Sequence, residues 1–146
     1  MSALRVSTDK AELDLPLIHR FLSTEAYWSL GIPEETVARA VAGSLCFGGH
    51  VDGVGQVAFA RVVSDFATFA YLADVFVLPA HRGRGYSKQL VAEVMAHPQL
   101  QGLRRFMLAT SDAHGLYAQY GFVAPARPQT LMEVVQPDIY TETKAA

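Results

Sequence analysis

The sequence predicts an α+β domain built around one mixed, mostly antiparallel sheet. Strand-like apolar stretches alternate with amphipathic helical stretches in the order β-α-α-β-β-β-α-β-α-β-β. Two strand-like stretches, 44–51 and 56–65, flank Asp52-Gly53, a dipeptide typical of tight hairpin turns and hence of antiparallel pairing. The chain has 146 residues and is 51% apolar, so a single folded domain over residues 1–146 is expected.

Three elements are predicted before the hairpin. Residues 4–9 resemble a short strand, and residues 11–30 are mostly helical in pattern, with Pro16 suited to the first helical turn. A second helix is predicted over residues 33–44, because two glutamates favour its first turn and Gly43 is suited to its end. The apolar face of the first helix is formed by Leu17, Ile18, Phe21 and Leu22.

The remaining elements follow the hairpin. Residues 67–78 are almost wholly apolar, which predicts a strand in the interior of the sheet. A helix over about 87–97, a strand over 104–110 and a short helix ended by Gly121 come next. Two closing strands, over 122–125 and 131–136, and a loose tail over 141–146 complete the predicted order.

Composition excludes several classes of function. The net charge of −2 argues against general nucleic-acid binding, for which a basic domain is expected. The chain has no apolar run of about 18 residues and no secretory leader pattern, so no membrane association is predicted. A single cysteine, Cys46, fits a reducing cytoplasm. No metal site is predicted, because the histidines do not form a zinc-binding pattern.

The loop after the long strand is the strongest candidate for a binding site. It reads Arg82-Gly83-Arg84-Gly85-Tyr86-Ser87 and leads directly into a helix. No good capping residue comes before Ser87, so the first backbone N–H groups of that helix are expected to be free. Free amides at a helix start, with positive charge beside them, suit an anion such as a phosphate.

Two motifs make the chain resemble the GNAT superfamily of acyl-CoA-dependent N-acyltransferases. The first, [Arg/Gln]-x-x-Gly-x-[Gly/Ala], is matched by the loop 82–87, with Ser87 at the usual Gly or Ala position. The second, Tyr-x-x-x-Gly-Phe, is matched by residues 117–122. The order of strands and helices also matches that of the superfamily over nearly the whole chain. Further short stretches resemble a subfamily of small bacterial members. The resemblance implies a sheet that splays around an acyl-CoA site, with acetyl-CoA as cosubstrate and no metal.

The resemblance also implies how the cofactor is held. The loop residues Arg82, Gly83, Arg84, Gly85, Tyr86 and Ser87 would bind the pyrophosphate. The strand end Val75-Phe76-Val77 would pair with the pantetheine arm as an added strand does. Because Val75 and Val77 have the same parity in the strand, the Val75 amide would polarise the acetyl carbonyl while the Val77 amide holds the arm.

Three residues are predicted to carry the proton transfers. Tyr117 matches the family tyrosine that protonates the leaving thiolate, with Tyr120 as the alternative in the same motif. Asp74, beside the reacting strand end, is a candidate general base, because the resemblance places acids there. His114 is a second candidate, since its ordinary pKa suits neutral pH, and a water chain is a third.

The acceptor is the least defined part of the prediction. Tyr27 and Trp28 would lie over the acceptor groove, and Arg61 would contact an acidic acceptor. The predicted activity is direct transfer of acetyl from acetyl-CoA to a primary amine in a ternary complex, by a monomer or homodimer. Two alternatives stay open: a GNAT-like module that binds acyl-CoA without catalysis, and a nucleic-acid-binding protein that uses the Arg-Gly-Arg-Gly loop, residues 82–85.

Overall fold

The computed structural model describes residues 3–141, and these contain a five-stranded sheet in the order β1-β2-β3-β4-β5. Neighbouring strands from β1 to β4 pair antiparallel, and β5 runs parallel to β4. The predicted α+β class with a mixed, mostly antiparallel sheet is therefore confirmed. The strands are β1 (Arg5–Ser7), β2 (Leu45–Val51), β3 (Gly55–Ser64), β4 (Phe69–Val77) and β5 (Arg105–Leu108).

The predicted helices are all present, with starts and ends that follow from the sequence. The Asp14 side chain caps the first helix by accepting a hydrogen bond from the Leu17 N–H at 3.1 Å, and Pro16 lies in the first turn. Gly43 follows the second helix, and Gly121, at a φ of 93°, lies three residues after the fourth. The helices are α1 (Leu15–Thr24), α2 (Glu34–Ala42), α3 (Tyr86–Ala96) and α4 (His114–Ala118).

Helices cover both faces of the sheet, and each face has its own apolar core. On the α1–α2 face, the Phe76 ring stacks on Phe21 with ring centroids 4.0 Å apart and packs near Phe59. On the other face, Leu90 and Val94 of α3 are fully buried against the strands. Burial on both sides explains why β4 and the middle of β3, residues 57–60, are almost wholly apolar.

The sheet opens between β4 and β5. Residues Phe69–Leu72 pair with Arg105–Leu108, and β4 then continues to Val77 without a described partner on that side. The register between β3 and β4 shifts at this point, and Asp74 has a φ of 54°, which marks a bulge in β4. The bulge and the early end of the pairing produce the splayed sheet that the family resemblance implied.

The prediction of two closing strands is wrong. Residues 122–125 and 131–136 form no strand, and among the described strands the sheet ends at β5. A strand needs a paired neighbour and a packing surface, and neither can be read from a short apolar stretch. Pro125, Pro128 and Pro137 also interrupt this part of the chain and remove backbone donors.

The predicted tail, apart from Thr141, lies outside the described residues. Within residues 3–141, no helix has the length and apolar character needed to cross a membrane.

Candidate active site

A cleft of about 940 Å³ lies where β4 and β5 diverge. It is a size that suits a cofactor or an extended ligand. The end of β4, the loop before α3, the loop after β5 and the α1–α2 connection all contribute to its walls. Among the lining residues are Tyr27, Trp28, Arg61, Asp74, Val75, Phe76, Val77, Arg82, Gly83, Gly85, Tyr86, Ser87 and Tyr117, so the fold brings most of the predicted site residues together.

The strand end 75–77 offers unpaired backbone amides to the cleft. The Leu78 N–H donates to the Val57 carbonyl at 2.8 Å, on the side of β3. Because amides alternate in direction along a strand, the N–H groups of Val77 and Val75 point the opposite way, to the side where β5 has separated. Phe76, between them, is buried in the α1–α2 core. The strand end can therefore pair with an extended ligand as a further strand would.

The glycine loop leads into the uncapped start of α3. Gly83 and Gly85 have φ values of 80° and 79°, a conformation that glycine adopts without strain. Gly85 is the N-cap of α3 and no side chain caps the helix, as predicted. A Cβ atom at either glycine would have no atom within 4 Å, so the loop is open to an incoming group. This arrangement fits the pyrophosphate of coenzyme A.

The other loop residues differ in whether they line the cleft. The Arg82 Nε donates to the Val77 carbonyl at 2.9 Å, which ties the loop to the end of β4, and the Arg82 side chain lines the cleft. Arg84 is exposed and is not among the residues that line it. Tyr86 is mostly buried in the α3 core, and Ser87 is half-buried at the cleft wall. Arg82 is thus the better placed of the two arginines.

Tyr117 lies in the cleft wall in a largely apolar setting. It is 8% exposed and contacts the Phe122 ring, with centroids 6.0 Å apart. Burial raises the pKa of the Tyr117 phenol, and the negative charge of Asp112 raises it further. The hydroxyl group is therefore protonated at neutral pH and can donate a proton. Tyr120, the alternative, does not line the cleft, and its hydroxyl donates to the Lys88 carbonyl at 2.9 Å.

Asp74 is at the centre of a polar network in the cleft wall. One of its carboxylate oxygens accepts a hydrogen bond from the Trp28 indole N–H at 2.9 Å, and the other accepts from the Arg61 Nε at 2.8 Å. The Arg61 guanidinium also donates to the Ser44 hydroxyl at 3.1 Å. Asp74 and Arg61 are 12% and 19% exposed in their side chains, so the pair is largely shielded from water. The network fixes the Trp28 ring over the cleft.

The connection between α1 and α2 reaches across to the loop after β5. The Tyr27 hydroxyl donates to the Ser111 hydroxyl at 2.8 Å, although Tyr27 is 62% exposed. Its ring packs edge-on against Trp28, with centroids 5.1 Å apart. The two aromatic residues therefore lie together in one wall of the cleft, and their predicted role in binding the acceptor stays a prediction.

His114 is placed less favourably than the sequence suggested. It is the exposed first residue of α4 and is not among the residues that line the cleft. Asp112, two residues before His114, is close enough to Tyr117 to affect its pKa. Of the two candidate bases, Asp74 is the one in the cleft wall.

Several cleft residues were missed by sequence reasoning. Ser44 and Ser111 hold Arg61 and Tyr27 in place, but each lies far along the chain from its partner, and no local pattern marks such pairs. Asp112, which raises the pKa of Tyr117, was not singled out either. As for metals, residues 3–141 contain no group of three or more His, Cys, Asp or Glu side chains arranged to hold an ion.

Comparison with known proteins identifies the family. The family model for the acetyltransferase (GNAT) domain matches residues 42–124. A protein from Gibberella zeae that is named as an acetyltransferase is 33% identical, with 78% of this chain and 75% of that protein covered. Both matches include the glycine loop and the strand before it.

Solved structures support the same family assignment. A crystal structure assigned to the GNAT family, from Xanthomonas campestris pv. campestris, is 65% identical, with 97% of this chain and 99% of that chain covered and a TM-score of 0.94. A predicted acetyltransferase from Clostridium acetobutylicum, solved with acetyl-CoA, shares the fold at 16% identity and a TM-score of 0.67, with 92% and 96% of the two chains covered. The splayed sheet, the glycine loop and these similarities together lead to one conclusion: the chain belongs to the GNAT acetyltransferase family.

Proposed function

We propose that this single-domain protein transfers an acetyl group from acetyl-CoA to a primary amine in a ternary complex. The observation that carries the proposal is the meeting, in one cleft, of an unpaired strand end, an uncapped helix start and a buried neutral tyrosine. The reaction requires the pantetheine arm to be held extended, the pyrophosphate to be bound and the leaving sulfur to receive a proton. The strand end, the helix start and the tyrosine would meet these requirements in that order. The Clostridium relative, solved with acetyl-CoA, supports the choice of donor.

In this proposal the backbone binds and polarises the donor. The amides of Gly85 and the first turn of α3 would bind the pyrophosphate, with Arg82 adding positive charge. The Val77 amide would hold the pantetheine arm. The Val75 amide would donate to the thioester carbonyl oxygen, where negative charge develops as the amine attacks.

Two side chains would carry out the proton transfers. Asp74 would accept the proton that the amine nitrogen loses as its new bond to the acetyl carbon forms. Each carboxylate oxygen of Asp74 already accepts one hydrogen bond but has a further lone pair available. Tyr117 would donate its phenolic proton to the sulfur as the carbon–sulfur bond breaks, so that acetylated amine and free coenzyme A are released.

The acceptor groove would lie between Trp28, Tyr27 and the Asp74–Arg61 pair. Its exposed aromatic rings suit an acceptor with an apolar or flat group, and the Asp74 carboxylate suits an ammonium group. The Arg61 guanidinium, predicted to contact an acidic acceptor, is already paired with Asp74 and Ser44. We therefore assign Arg61 a positioning role.

The two loop arginines are expected to differ in their effect on cofactor binding. Arg82→Ala should weaken acetyl-CoA binding about tenfold and reduce its salt dependence, because a charge in the cleft wall is lost. Arg84→Ala, which removes an exposed charge outside the wall, is the matched control and should change affinity less than about threefold. Titration calorimetry at two salt concentrations measures both. Equal effects of the two variants would contradict this assignment.

The Cys46 thiol is expected not to react in assays that detect free thiols. It is fully buried, and burial raises its pKa to about 11, so little reactive thiolate forms at assay pH. Native protein should therefore react with a disulfide reagent such as DTNB far more slowly than protein unfolded in guanidinium. Rapid labelling of the native protein would show that the β2 region opens, contrary to this expectation.

Thiol release then becomes a direct test of the activity. The purified chain should release coenzyme A from acetyl-CoA only when an amine acceptor is present. A panel of small amines, aminoglycosides, peptide N-termini and lysine peptides would identify the class of acceptor. Binding of acetyl-CoA without turnover on any of them would favour the alternative of a non-catalytic module.

A further inference from the structure

A second, smaller cavity borders the cleft and lies between α1, α2 and β3. It has a volume of about 180 Å³. The side chains of Trp28, Arg61 and Asp74 line both spaces and so form the partition between them. An acceptor nitrogen at Asp74 would therefore have the cleft on one side and this cavity on the other.

The walls of the small cavity are mainly apolar. Phe59 of β3 is fully buried, and Leu22 of α1 and Val37 of α2 are almost fully buried. Polar groups in the wall already have partners, because the Ser29 hydroxyl donates to the Leu22 carbonyl at 2.7 Å and both Asp74 oxygens accept hydrogen bonds. The interior therefore favours an apolar group over a polar one.

Hydrogen bonds in the surrounding chain hold the cavity in shape. The Ile32 N–H donates to the Ser29 carbonyl at 3.0 Å, which fixes the connection between α1 and α2. The Ser44 hydroxyl donates to the Ala40 carbonyl at 2.7 Å and so secures the end of α2. A ligand would enter a space that is already formed, which favours binding.

The volume indicates the size of the group that can bind. In other proteins, an apolar cavity of about 150 Å³ accommodates benzene. At about 180 Å³, this cavity has room for a six-membered carbon ring or a branched alkyl group of similar size. A methyl group would leave most of the cavity empty and would gain few contacts with its walls.

Trp28 is the part of the partition best able to move aside. Its side chain is 44% exposed and is held by the hydrogen bond to Asp74 and by edge contact with Tyr27. Arg61 and Asp74, by contrast, are largely shielded from water and paired with each other. An apolar group can therefore pass beside the indole ring and then pack against its face.

We propose that the acceptor is a primary amine that carries an apolar group of about six carbons, and that this group binds in the small cavity. The amine nitrogen lies at Asp74, and the apolar group extends past Trp28 into the space between α1 and α2. The inference rests on the proposed acetyl transfer, because it names the acceptor of that reaction. Polyamines and aminoglycosides, which carry charge or hydroxyl groups in place of the apolar group, are expected to be poor acceptors.

Rates with two primary amines test the proposal. In the wild type, kcat/KM for cyclohexylmethylamine should exceed that for methylamine about 100-fold or more, because each buried methylene contributes about fourfold. Ala40→Leu, which fills part of the cavity from α2, should lower this ratio about tenfold. Ala38→Leu is the matched control, on the exposed side of the same helix and outside the cavity wall, and should keep the wild-type ratio.

A second variant keeps the test valid if Ala40→Leu does not fold. Val37→Ala enlarges the cavity, so it should shift the preference from cyclohexylmethylamine toward the longer 2-cyclohexylethylamine, relative to the wild type. A wild-type ratio near one would overturn the proposal. Equal ratios in folded Ala40→Leu and Ala38→Leu, or an unchanged preference in Val37→Ala, would overturn it as well.

Trp28 fluorescence tests the cavity without turnover, because Trp28 is the sole tryptophan of the chain. Without acetyl-CoA, cyclohexylmethylamine should shift the emission in a saturable way, and methylamine at the same concentration should not. Ala40→Leu should weaken this binding about tenfold, and Ala38→Leu should not. Saturable binding without acetylation of any amine would support the cavity as the site of an apolar amine and contradict only the acetyl transfer. Acetylation of both amines at equal rates, with no change in fluorescence, would overturn the cavity proposal and leave the acetyl transfer standing.

Discussion

The Tyr117→Phe variant is expected to turn over about 100-fold more slowly than the wild type, because a positioned proton donor typically contributes that much or more. The affinity for acetyl-CoA should be nearly unchanged, since the ring and its apolar contacts remain and only the hydroxyl group is lost. An effect confined to kcat is what loss of a transition-state interaction produces. Steady-state kinetics with the best amine of the panel, together with calorimetry of acetyl-CoA binding, measure both quantities.

Tyr120→Phe is the matched control for this variant. The Tyr120 hydroxyl donates to the Lys88 carbonyl and does not line the cleft, so its loss should lower stability slightly and leave kcat within about twofold. Full turnover by Tyr117→Phe would exclude Tyr117 as the acid. If Tyr120→Phe were instead the slow variant, the acid role would pass to Tyr120.

The pH dependence of kcat should agree with this role. Burial and the nearby Asp112 charge both raise the pKa of Tyr117 above its ordinary value of 10, so the phenol keeps its proton below pH 10. Ionisation of Tyr117 should therefore cause no decline of kcat between neutrality and pH 10. A decline in that interval that is absent from Tyr117→Phe would show that the phenol ionises more easily than its surroundings indicate.

Most of the fold could be predicted because its signals are local. The helix starts marked by Pro16 and Pro33, the hairpin at Asp52-Gly53 and the apolar stretch of β4 each depend on a few neighbouring residues. The end of the chain could not be predicted in this way. Residues 131–136 have strand-forming side chains, but the partner strand that would decide their conformation is not among their neighbours in sequence.

The same distinction between local and long-range signals applies to the candidate site. The glycine loop and the strand before it are contiguous, so the uncapped start of α3 beside them could be predicted from the sequence. The contacts that modify the site join distant residues: Trp28 with Asp74, and Tyr27 with Ser111. Tertiary structure alone brings these together, and it changes the interpretation of Asp74 from an isolated carboxylate to the centre of a network.

Asp74→Asn is expected to lower kcat/KM for the amine by about 100-fold, which corresponds to the loss of a charged hydrogen-bond acceptor in a shielded site. Asparagine keeps the size of the side chain and tolerates the φ of 54° found at this position, so the bulge in β4 should survive. The Arg61 guanidinium loses its counter-charge, and a fall in unfolding free energy of roughly 1–3 kcal/mol is therefore also expected. Kinetics must be measured well below the melting temperature of the variant.

Two comparisons separate the roles of Asp74. Ser44→Ala removes the other hydrogen bond of Arg61 but leaves the carboxylate, so it should lower stability by about 1 kcal/mol and leave the rate nearly unchanged. His114→Ala, on the exposed start of α4, should keep kcat/KM within about threefold and keep the shape of its pH profile. An acidic limb of the wild-type profile that disappears in His114→Ala would make His114 the base. A profile of Asp74→Asn equal to wild type in height and shape would exclude Asp74, because the proton would then leave by His114 or through water.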